Sequence, residues 1–397
     1  MKKLAIITSH PIQYNAPFFR LLAQSTIVDI KVFYTWGQSA SGQVYDPTFQ
    51  QTVQWDIPLL EGYHYEFIQN QSRDPGSHHF RGIINRDLVG KILDWNPDAL
   101  LVYGWSFQSH LTVMRYFKGK IPVFFRGDSN LLDELPGFSF KKLFRRIFLK
   151  WVYHFVDTAF AVGNANRHYY MAHGLKEGQI IDAPHAIDIE RFQANSASLE
   201  AAAEEWRASL AIETQEIVFL FAGKLEPKKS PEILVRAFLA LKDQNAHLII
   251  VGNGILENEL HELSAEHPHI HFLPFQNQSK MPVVYRLANV FVLPSAGPGE
   301  TWGLAVNEAM ASGRPVIVST GCGCAQDLVV DGQTGWKFEK NQIDDLTAKL
   351  KLALAKRNAS LHLMGMQNVQ FIQSHSLVKY VSAVESIMQS IQGKSLK

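Results

Sequence analysis

The sequence predicts an α/β protein made of two doubly wound domains, each with a parallel β-sheet covered by helices on both faces. The chain has 397 residues, and a domain usually takes about 100–200 residues, so two domains are expected. Short apolar runs recur along both halves, and each ends in a turn or polar cluster before a helical pattern begins. Because the runs are apolar throughout, they suit strands of a parallel sheet that is buried on both faces.

Ten apolar runs are predicted to be strands, five in each half of the chain. Those of the first half are residues 4–8, 27–34, 99–104, 121–127 and 158–163, and those of the second half are 217–223, 247–252, 270–275, 290–295 and 315–319. A polar segment rich in Ala, Ser and Glu at 190–215 separates the halves and has room for a short helix. The expected domains are therefore residues 1–190 and 191–375, followed by an amphipathic helix within 376–397.

Composition and charge exclude several classes of protein. Hydrophobic residues make up 46% and charged residues 19% of the chain, as in folded proteins. The 38 Lys and Arg nearly balance the 37 Asp and Glu, which argues against nucleic acid as a partner. Cys322 and Cys324 are expected to be reduced thiols that fill small packing spaces. The first apolar run is too short for a signal peptide, and no run could span a bilayer, so we expect a cytoplasmic protein.

The densest signal for a ligand site lies in residues 293–335. A strand is expected to run into a loop rich in Pro and Gly, followed by Glu300, a helix over 302–312 and Gly313 at the helix end. The first residues of this helix offer backbone N–H groups to a diphosphate or to sugar hydroxyls; they are Thr301, Trp302, Gly303 and Leu304. Glu308, about two turns into the helix, can accept paired hydrogen bonds from a ribose diol.

Residues 294–316 closely resemble the Glu-x7-Glu motif of glycosyltransferase family 4, whose members are retaining enzymes with the GT-B fold of two Rossmann-like domains facing a cleft. The resemblance implies that Glu308 binds the nucleotide ribose and that Glu300 contacts the transferred sugar. It also implies that the first domain binds the acceptor and the second binds the donor. As in such relatives, the last helix is expected to cross back to the first domain.

A second match lies at 222–234, where Lys224 and Lys229 flank the turn after Gly223. Two cations at the end of a strand can bind a diphosphate and stabilise it as a leaving group. The family pattern resembles G-R-L-x-x-x-K-G, and this chain differs from it at Lys224 in place of Arg and at Ser230 in place of Gly. Lys228 competes with Lys229 for the same role.

A third match, at 247–260, resembles the strand-Gly-x-Gly-helix step of the family. Gly252 and Gly254 are expected to turn the chain close to the nucleotide, while Glu257 breaks the complete Gly-x-Gly-x-x-Gly pattern of a dinucleotide site. Residues 275–279 stand where the family usually holds the base.

The first half matches the family less well. His10 follows the first predicted strand, and Tyr14 lies close behind it, so both are candidates for the acceptor or for the donor phosphate. Arg126 and Asp128 follow a middle strand, where they either reach the reacting sugar and acceptor or pair with each other. His185 and Asp188 resemble a hinge element of the family and are expected to be structural.

No metal or other cofactor is expected. Asp188 and Glu190 have an Asp-x-Asp-like spacing, but they lie in the hinge element rather than in a nucleotide loop. The lysine pair and the helix N-terminus can do the work of a cation on the leaving group.

Residues 138–156 interleave five basic residues with aromatic and aliphatic ones. Such a segment either lies on an anionic membrane surface or is an ordinary helix with its apolar face in the core, and both interpretations stay open. Many members of the family use lipid-linked acceptors.

The resemblance implies a retaining glycosyltransferase that moves a sugar from a nucleotide diphosphate-sugar to a glycan or lipid-linked acceptor, in surface polysaccharide or glycoconjugate synthesis. Two alternatives remain: a GT-B nucleotide-sugar epimerase, and a catalytically idle subunit that binds the donor.

Overall fold

The computed structural model describes residues 1–37, 44–46, 51–132, 134, 137, 139–265 and 267–391. The chain divides into two compact units. The first contains Met1–Gln43, Pro58–His185 and Leu377–Lys397, and the second contains Val44–Ile57 and Ala186–Ser376. Among the described residues, no helix is both long and apolar enough to cross a membrane.

The first unit is built on a seven-stranded parallel sheet with the order β5-β2-β1-β6-β7-β8-β9. Its strands are β1 (Lys2–Thr8), β2 (Val28–Tyr34), β5 (His64–Phe67), β6 (Ala99–Tyr103), β7 (Val123–Arg126), β8 (Thr158–Ala161) and β9 (Ile180–Asp182). The five strands predicted in this half are confirmed. The sequence analysis missed β5 and β9, which lie at the two edges of the sheet and are only three or four residues long.

Helices cover both faces of this sheet because its strands are apolar on both sides. Leu4 and Ile6 of β1 belong to one buried cluster, whereas Ala5 and Ile7 belong to another. The helices of the unit are α1 (Ala16–Leu22), α2 (Leu88–Trp95), α3 (Gln108–Phe117), α4 (Phe140–Tyr153), α5 (Asn164–Ala172) and α15 (Leu377–Ser390).

Helix α15, the last in the chain, belongs to the core of the first unit. Its Tyr380 ring stacks on Phe18 of α1 with ring centres 3.8 Å apart. The Tyr380 hydroxyl lies 2.8 Å from that of Tyr103 at the end of β6. Farther along α15, Glu385 accepts a 2.5 Å hydrogen bond from Ser25. These contacts place residues from the end of the chain beside residues from its beginning.

The second unit has a six-stranded parallel sheet with the order β12-β11-β10-β13-β14-β15. The strands are β10 (Ile217–Ala222), β11 (Ala246–Val251), β12 (Ile270–Leu273), β13 (Val290–Leu293), β14 (Val316–Ser319) and β15 (Gly335–Phe338). The five predicted strands are confirmed, and β15 was missed. From β10 the sheet continues to β11 and β12 on one side, and from β13 it continues to β14 and β15 on the other. The loops after β10 and β13 therefore flank the switch point, where ligands of open parallel sheets bind.

Nine helices accompany the described part of the second sheet. They are α6 (Ile189–Gln193), α7 (Ser196–Ser209), α8 (Pro231–Leu239), α9 (Glu257–Ser264), α10 (Met281–Arg286), α11 (Leu304–Ala311), α12 (Ala325–Leu328), α13 (Ile343–Leu354) and α14 (Arg357–Phe371). The polar segment at 190–215 thus contains most of α6 and all of α7 rather than a single short helix.

A two-stranded antiparallel hairpin, β3 (Val44–Asp46) and β4 (Gln51–Val53), precedes the residues 54–57. Although this stretch belongs to the first half of the sequence, it groups with the second unit.

Candidate functional site

Lys229 and Glu300 meet at the switch point of the second sheet. Lys229 follows β10 and Glu300 follows β13, and the lysine Nζ forms an ion pair with Oε2 of Glu300. The same carboxylate oxygen accepts a 2.9 Å hydrogen bond from the Ser295 hydroxyl. Both charged side chains are largely buried, and a charge is buried at low cost only when it is paired or hydrogen-bonded in this way.

The turn after β10 decides which lysine faces Glu300. Residues 227–229 form a short 3-10 turn, and Ser230 has a φ of +49° before Pro231 begins α8. Within this turn Lys228 pairs with Glu226 at 3.3 Å, whereas Lys229 pairs with Glu300. Lys229 is thus the lysine that pairs with Glu300, and its role in binding a diphosphate, for which Lys228 competes, stays a prediction. Ser230 occupies a left-handed conformation that favours glycine, the residue found there in the family pattern.

The helix after Glu300 is shorter than predicted. Helix α11 begins at Leu304 rather than at residue 302, because Gly303 has a φ of +103° and breaks the helical path. A Cβ on Gly303 would lie 2.7 Å from Cδ2 of Leu293, so the loop packs tightly on β13. Glu308 therefore lies little more than one turn into the helix, instead of two. Gly313, with a φ of +72°, follows the helix end as predicted.

The residues between Glu300 and α11 differ in how far their side chains are buried. Trp302 is buried, and its indole Nε1 donates a 2.8 Å hydrogen bond to Oδ1 of Asn307. Thr301 and Leu304 are partly exposed on either side of it. The Trp302 side chain thus anchors the loop to α11, and any contact of Trp302 with a ligand would come from its backbone.

Glu308 is held by two residues that the sequence analysis did not identify. Its side chain is 3% exposed, and Oε2 accepts a 2.6 Å hydrogen bond from the Tyr285 hydroxyl. Oε1 lies 3.8 Å from Nη2 of Arg191. Tyr285 lies on α10 and Arg191 on α6, and neither stands within the matched motifs around Glu308. The only available signal was the hinge element that contains Arg191, where Asp188 accepts a hydrogen bond from the Arg191 backbone N–H and so caps α6.

Gly252 and Gly254 bring the loops after β10 and β11 into direct contact. A Cβ on Gly252 would lie 2.0 Å from the carbonyl oxygen of Gly223, and one on Gly254 would lie 2.4 Å from that of Leu225. Such distances exclude any side chain unless the backbone moves. Lys224 lies between the two points of contact, so these glycines fix the backbone around it.

Asn253 joins three of these loops. Its carbonyl accepts a hydrogen bond from the Leu225 N–H after β10, and its Oδ1 accepts one of 2.8 Å from the Phe275 N–H after β12. Its own amide donates to Glu257 at the start of α9. The carboxyl edge of the sheet is therefore a connected surface from the switch point to β12.

In the first unit, His10 and Tyr14 follow β1. His10 Nδ1 lies 3.0 Å from the Ser9 hydroxyl, and burial lowers the pKa of the imidazole. Tyr14 lies in the turn just before α1 and is partly exposed. Both residues are at the carboxyl end of a central strand, as expected from the sequence.

The Arg126 side chain contacts other residues of the first unit. It is buried, and its guanidinium donates hydrogen bonds to the carbonyl oxygens of Ala183 (2.8 Å) and Pro184 (3.3 Å). The guanidinium carbon also lies 3.9 Å from the centre of the Tyr380 ring. These contacts tie β7 to the segment after β9 and to α15. The contact of Arg126 with a sugar or acceptor stays a prediction beside this structural role.

Asp128 lies on a loop that is fixed from both sides. The Tyr170 hydroxyl accepts from the Gly127 N–H and donates to its carbonyl, and Asn166 donates to the carbonyl of Ser129. His185 belongs to the same cluster: burial first, and then the positive charge of Arg126, lower its pKa to about 3, against the opposing effect of Asp128. A neutral imidazole therefore stands near the Asp128 carboxylate.

One cluster of side chains in the first unit has the residue types of a metal site. Within the described residues, Asp74, His78 and His79 offer ligand atoms within 4.8 Å of one another, a cluster that the sequence analysis missed. It lies on a loop of the first unit, whereas Lys229 and Glu300 lie in the second.

Cys322 and Cys324 are fully buried, as expected for packing residues, and burial raises the pKa of both thiols.

The chain is similar in sequence to glycosyltransferases. Residues 202–365 match a family model described as glycosyl transferases group 1. The chain is 34% identical over 141 residues to an uncharacterized glycosyltransferase of Methanocaldococcus jannaschii, which covers 34% of this chain and 35% of that protein. It is 30% identical over 230 residues to the D-inositol 3-phosphate glycosyltransferase of Nocardia farcinica, covering 55% and 48%. The chain thus spans less than half the length of either relative.

A solved structure extends the similarity to the whole fold. Anabaena HepE in complex with UDP and glucose superposes with a TM-score of 0.71 at 17% identity, over 98% of this chain and 100% of HepE. Residues 202–365 therefore match the glycosyl transferases group 1 model, and the whole chain has the fold of HepE, with two Rossmann-like units.

Proposed function

We propose that this protein is a retaining glycosyltransferase of family 4 that moves a sugar from a nucleotide diphosphate-sugar to a glycan or lipid-linked acceptor. The observation that carries the proposal is the Lys229–Glu300 ion pair at the switch point of the second sheet, with Glu308 on the helix that follows. A cation for a diphosphate, a carboxylate for sugar hydroxyls and a second carboxylate for a ribose stand together there.

Donor binding would exchange the partners of this ion pair. The diphosphate takes the charge of Lys229, with Lys224 as a second cation, and Glu300 turns its carboxylate to the hydroxyls of the sugar. In a buried site such charge-assisted hydrogen bonds are strong and oriented. The paired state keeps both charges satisfied before the donor arrives.

The transfer itself needs no nucleophile from the protein. The bond between the sugar C1 and the phosphate oxygen breaks while the acceptor oxygen bonds to C1 from the same face. The acceptor proton passes to an oxygen of the leaving phosphate. Lys229 stabilises the charge that develops on the diphosphate, which is the largest single contribution expected from this site.

A UDP-sugar is the first donor to test, because UDP and glucose are bound in the similar structure of HepE. Thermal shifts with UDP, GDP, ADP and dTDP sugars should reveal one preferred nucleotide. A ligand at a hundred times its Kd stabilises the protein by about 2.7 kcal/mol. The shift should be lost in Glu308→Gln and kept in Lys228→Met, a control variant in the turn after β10. No shift with any of the four would contradict the proposal.

Turnover distinguishes the proposal from its two alternatives. Release of nucleotide diphosphate that depends on an added acceptor extract supports transfer. Conversion of the donor sugar without acceptor would indicate an epimerase, and binding without any turnover would indicate an idle donor-binding subunit.

The proposal includes contact with an anionic membrane surface on the cytoplasmic side, made by helix α4. Phe140, Phe144 and Ile147 are 70%, 69% and 58% exposed, and Leu143, Phe148 and Trp151 are exposed beside them. The helix contains no acidic residue and five basic ones, which are Lys141, Lys142, Arg145, Arg146 and Lys150. Aromatic residues next to basic ones suit the interface of an anionic bilayer.

Sedimentation with vesicles tests this contact. Binding to phosphatidylglycerol vesicles and not to phosphatidylcholine vesicles is expected, with loss at high salt because exposed charges are screened. The double variant Phe144→Ser/Ile147→Ser should abolish binding. Leu363→Ser is the matched control, since Leu363 is 63% exposed on α14. Equal binding by both variants would remove the membrane from the proposal.

A further inference from the structure

A short segment from the first half of the chain, residues 54–56, is bound to the loop after β12 in the second unit. The carbonyl of Gln54 accepts a 2.6 Å hydrogen bond from the Asn277 side-chain amide. The Asp56 carboxylate accepts from the backbone N–H of Ser279 at 3.1 Å and also from its hydroxyl. Three hydrogen bonds between segments 223 residues apart in sequence fix the position of Trp55 between them.

Trp55 forms an aromatic pair with Phe275. The ring centres are 6.5 Å apart with the planes inclined by 61°, and both side chains are partly exposed. Phe275 follows β12 at the carboxyl edge of the sheet, and its backbone N–H is bound by Asn253 after β11. Two partly exposed rings therefore lie at the edge at which ligands of parallel sheets bind.

A chain of contacts connects this pair to Glu308. Oε1 of Glu308 lies 3.8 Å from Nη2 of Arg191, and Nη1 of Arg191 donates a 3.1 Å hydrogen bond to the carbonyl of Gln278. Gln278 stands between Asn277 and Ser279, the two residues that hold segment 54–56. The candidate ribose carboxylate and the aromatic pair are thus attached to the same loop.

The lysines, Glu308 and Phe275 of the aromatic pair follow three strands of one sheet, which are β10, β13 and β12. The lysines lie at the switch point beside β10, and Glu308 is linked through Arg191 to the loop after β12. A diphosphate at the lysines and a ribose at Glu308 would extend the base toward β11 and β12, where Trp55 and Phe275 lie. A base has an aromatic face on which such rings stack.

We infer that Trp55 is a binding residue for the donor nucleotide and stacks on its base. The inference rests on the proposed function and deepens it, because it assigns part of the base subsite to the first half of the chain. Gln54 and Asp56 act as positioning residues, since they hold Trp55 through backbone and carboxylate contacts.

Calorimetry and tryptophan fluorescence with UDP test this inference, and GDP, ADP or dTDP replaces UDP if the protein prefers it. Trp55→Ala should weaken nucleotide binding by about tenfold to a hundredfold, the range expected for loss of one base–aromatic stack. Trp55→Phe should retain more of the affinity, because phenylalanine also offers a ring. Trp95→Phe, which changes a tryptophan on α2 of the first unit, should bind as the unmodified protein does.

Tryptophan fluorescence distinguishes a direct contact between Trp55 and the nucleotide from a purely structural role of Trp55. Nucleotide should quench tryptophan emission in the unmodified protein and in Trp95→Phe, and the quench should be largely lost in Trp55→Phe although that variant still binds. Full affinity and full quench in the Trp55 variants, together with weakened binding in Glu308→Gln, would overturn this inference alone. If none of the four nucleoside diphosphates binds the unmodified protein, the proposed function fails and the inference fails with it.

Discussion

The hydroxyl of Tyr285 donates a 2.6 Å hydrogen bond to Oε2 of Glu308, and both side chains are buried. Because Tyr285 contacts the carboxylate assigned to the ribose, we expect it to be a positioning residue. Tyr285→Phe should raise the KM for the donor severalfold and leave kcat nearly unchanged, as expected when binding is weakened equally in the ground and transition states. Donor-saturation kinetics would measure this, and an equal fall in kcat would contradict the assignment.

The two glutamates should differ in kinetics. Glu300→Ala is expected to lower turnover strongly, because its carboxylate is assigned to the sugar at the reacting centre. Glu308→Ala is expected mainly to weaken donor binding, by about tenfold or more, since hydrogen bonds to a charged group contribute about 1.5–3 kcal/mol. Steady-state kinetics and calorimetry together test the pair. Unchanged behaviour in both variants would remove this loop from the active site.

Lys229 and Lys228 form a matched pair for testing the leaving-group cation. Lys229→Met should lower kcat by about a hundredfold or more, as for loss of one stabilising donor in a transition state. Lys228→Met should change kcat by no more than about twofold, because Lys228 is 42% exposed and pairs with Glu226 rather than with Glu300. Comparable losses in both variants would show that the turn, rather than one lysine, supplies the charge.

Acid should destabilise the first unit through His110. The imidazole is fully buried, with Nε2 3.0 Å from the Thr35 hydroxyl, and burial lowers its pKa from 6.5 to about 4. The unfolded chain therefore binds this proton more readily between pH 6.5 and 4, and folding stability falls as pH falls through that window. The full effect of one such histidine is up to about 3 kcal/mol.

Urea unfolding at pH 7 and pH 5 measures this dependence. The loss of stability between the two values should be smaller in His110→Gln than in the unmodified protein, even if the variant is less stable at pH 7. His64→Gln, a change at an exposed position, should show the original difference. The prediction fails if His110→Gln loses as much stability as the unmodified protein.

The contact between the loops after β10 and β11 should tolerate no side chain at Gly252. Gly252→Ala places a Cβ 2.0 Å from a carbonyl oxygen at a φ of +139°, so the backbone must move, at a cost of about 2 kcal/mol or more. Gly332→Ala is the control: its φ is +76° but the Cβ has open space, so only the backbone conformation opposes it, at about 1 kcal/mol. Thermal unfolding and UDP binding of both variants would test the difference.

The sequence was most informative where burial is uniform. Runs that are apolar on both faces identified ten strands, because a parallel sheet covered on both sides leaves a continuous signal. Strands β5, β9 and β15 were missed because they lie at sheet edges and mix polar residues or glycine with apolar ones, so their sequences are not continuously apolar. The start of α11 was predicted two residues too early. Gly303 interrupts the helix because its φ is positive, and the sequence pattern does not reveal that angle.

Residues of the candidate site were predicted where they lie within a sequence motif, as Lys229 does in one motif and the two glutamates do in another. Glu300 and Glu308 share a motif, whereas Tyr285 and Arg191 come from other elements and carry no local pattern that connects them to Glu308. The same holds for Trp55, whose place beside Phe275 depends on a contact between distant parts of the chain. At Arg126, the last residue of β7, the sequence indicated a ligand contact, which stays a prediction, and did not reveal the hydrogen bonds to the carbonyls of Ala183 and Pro184.

Helix α15 has a consequence for synthesis on the ribosome. Tyr380, Val384 and Met388 complete a hydrophobic cluster that includes Leu4, Ile6 and Phe18. During translation the early half of that cluster emerges long before the residues that cover it, so it stays open to water while all of the second unit is made. The second unit can thus reach its native packing first, and the nascent first unit is the part of the chain whose apolar surface stays uncovered longest.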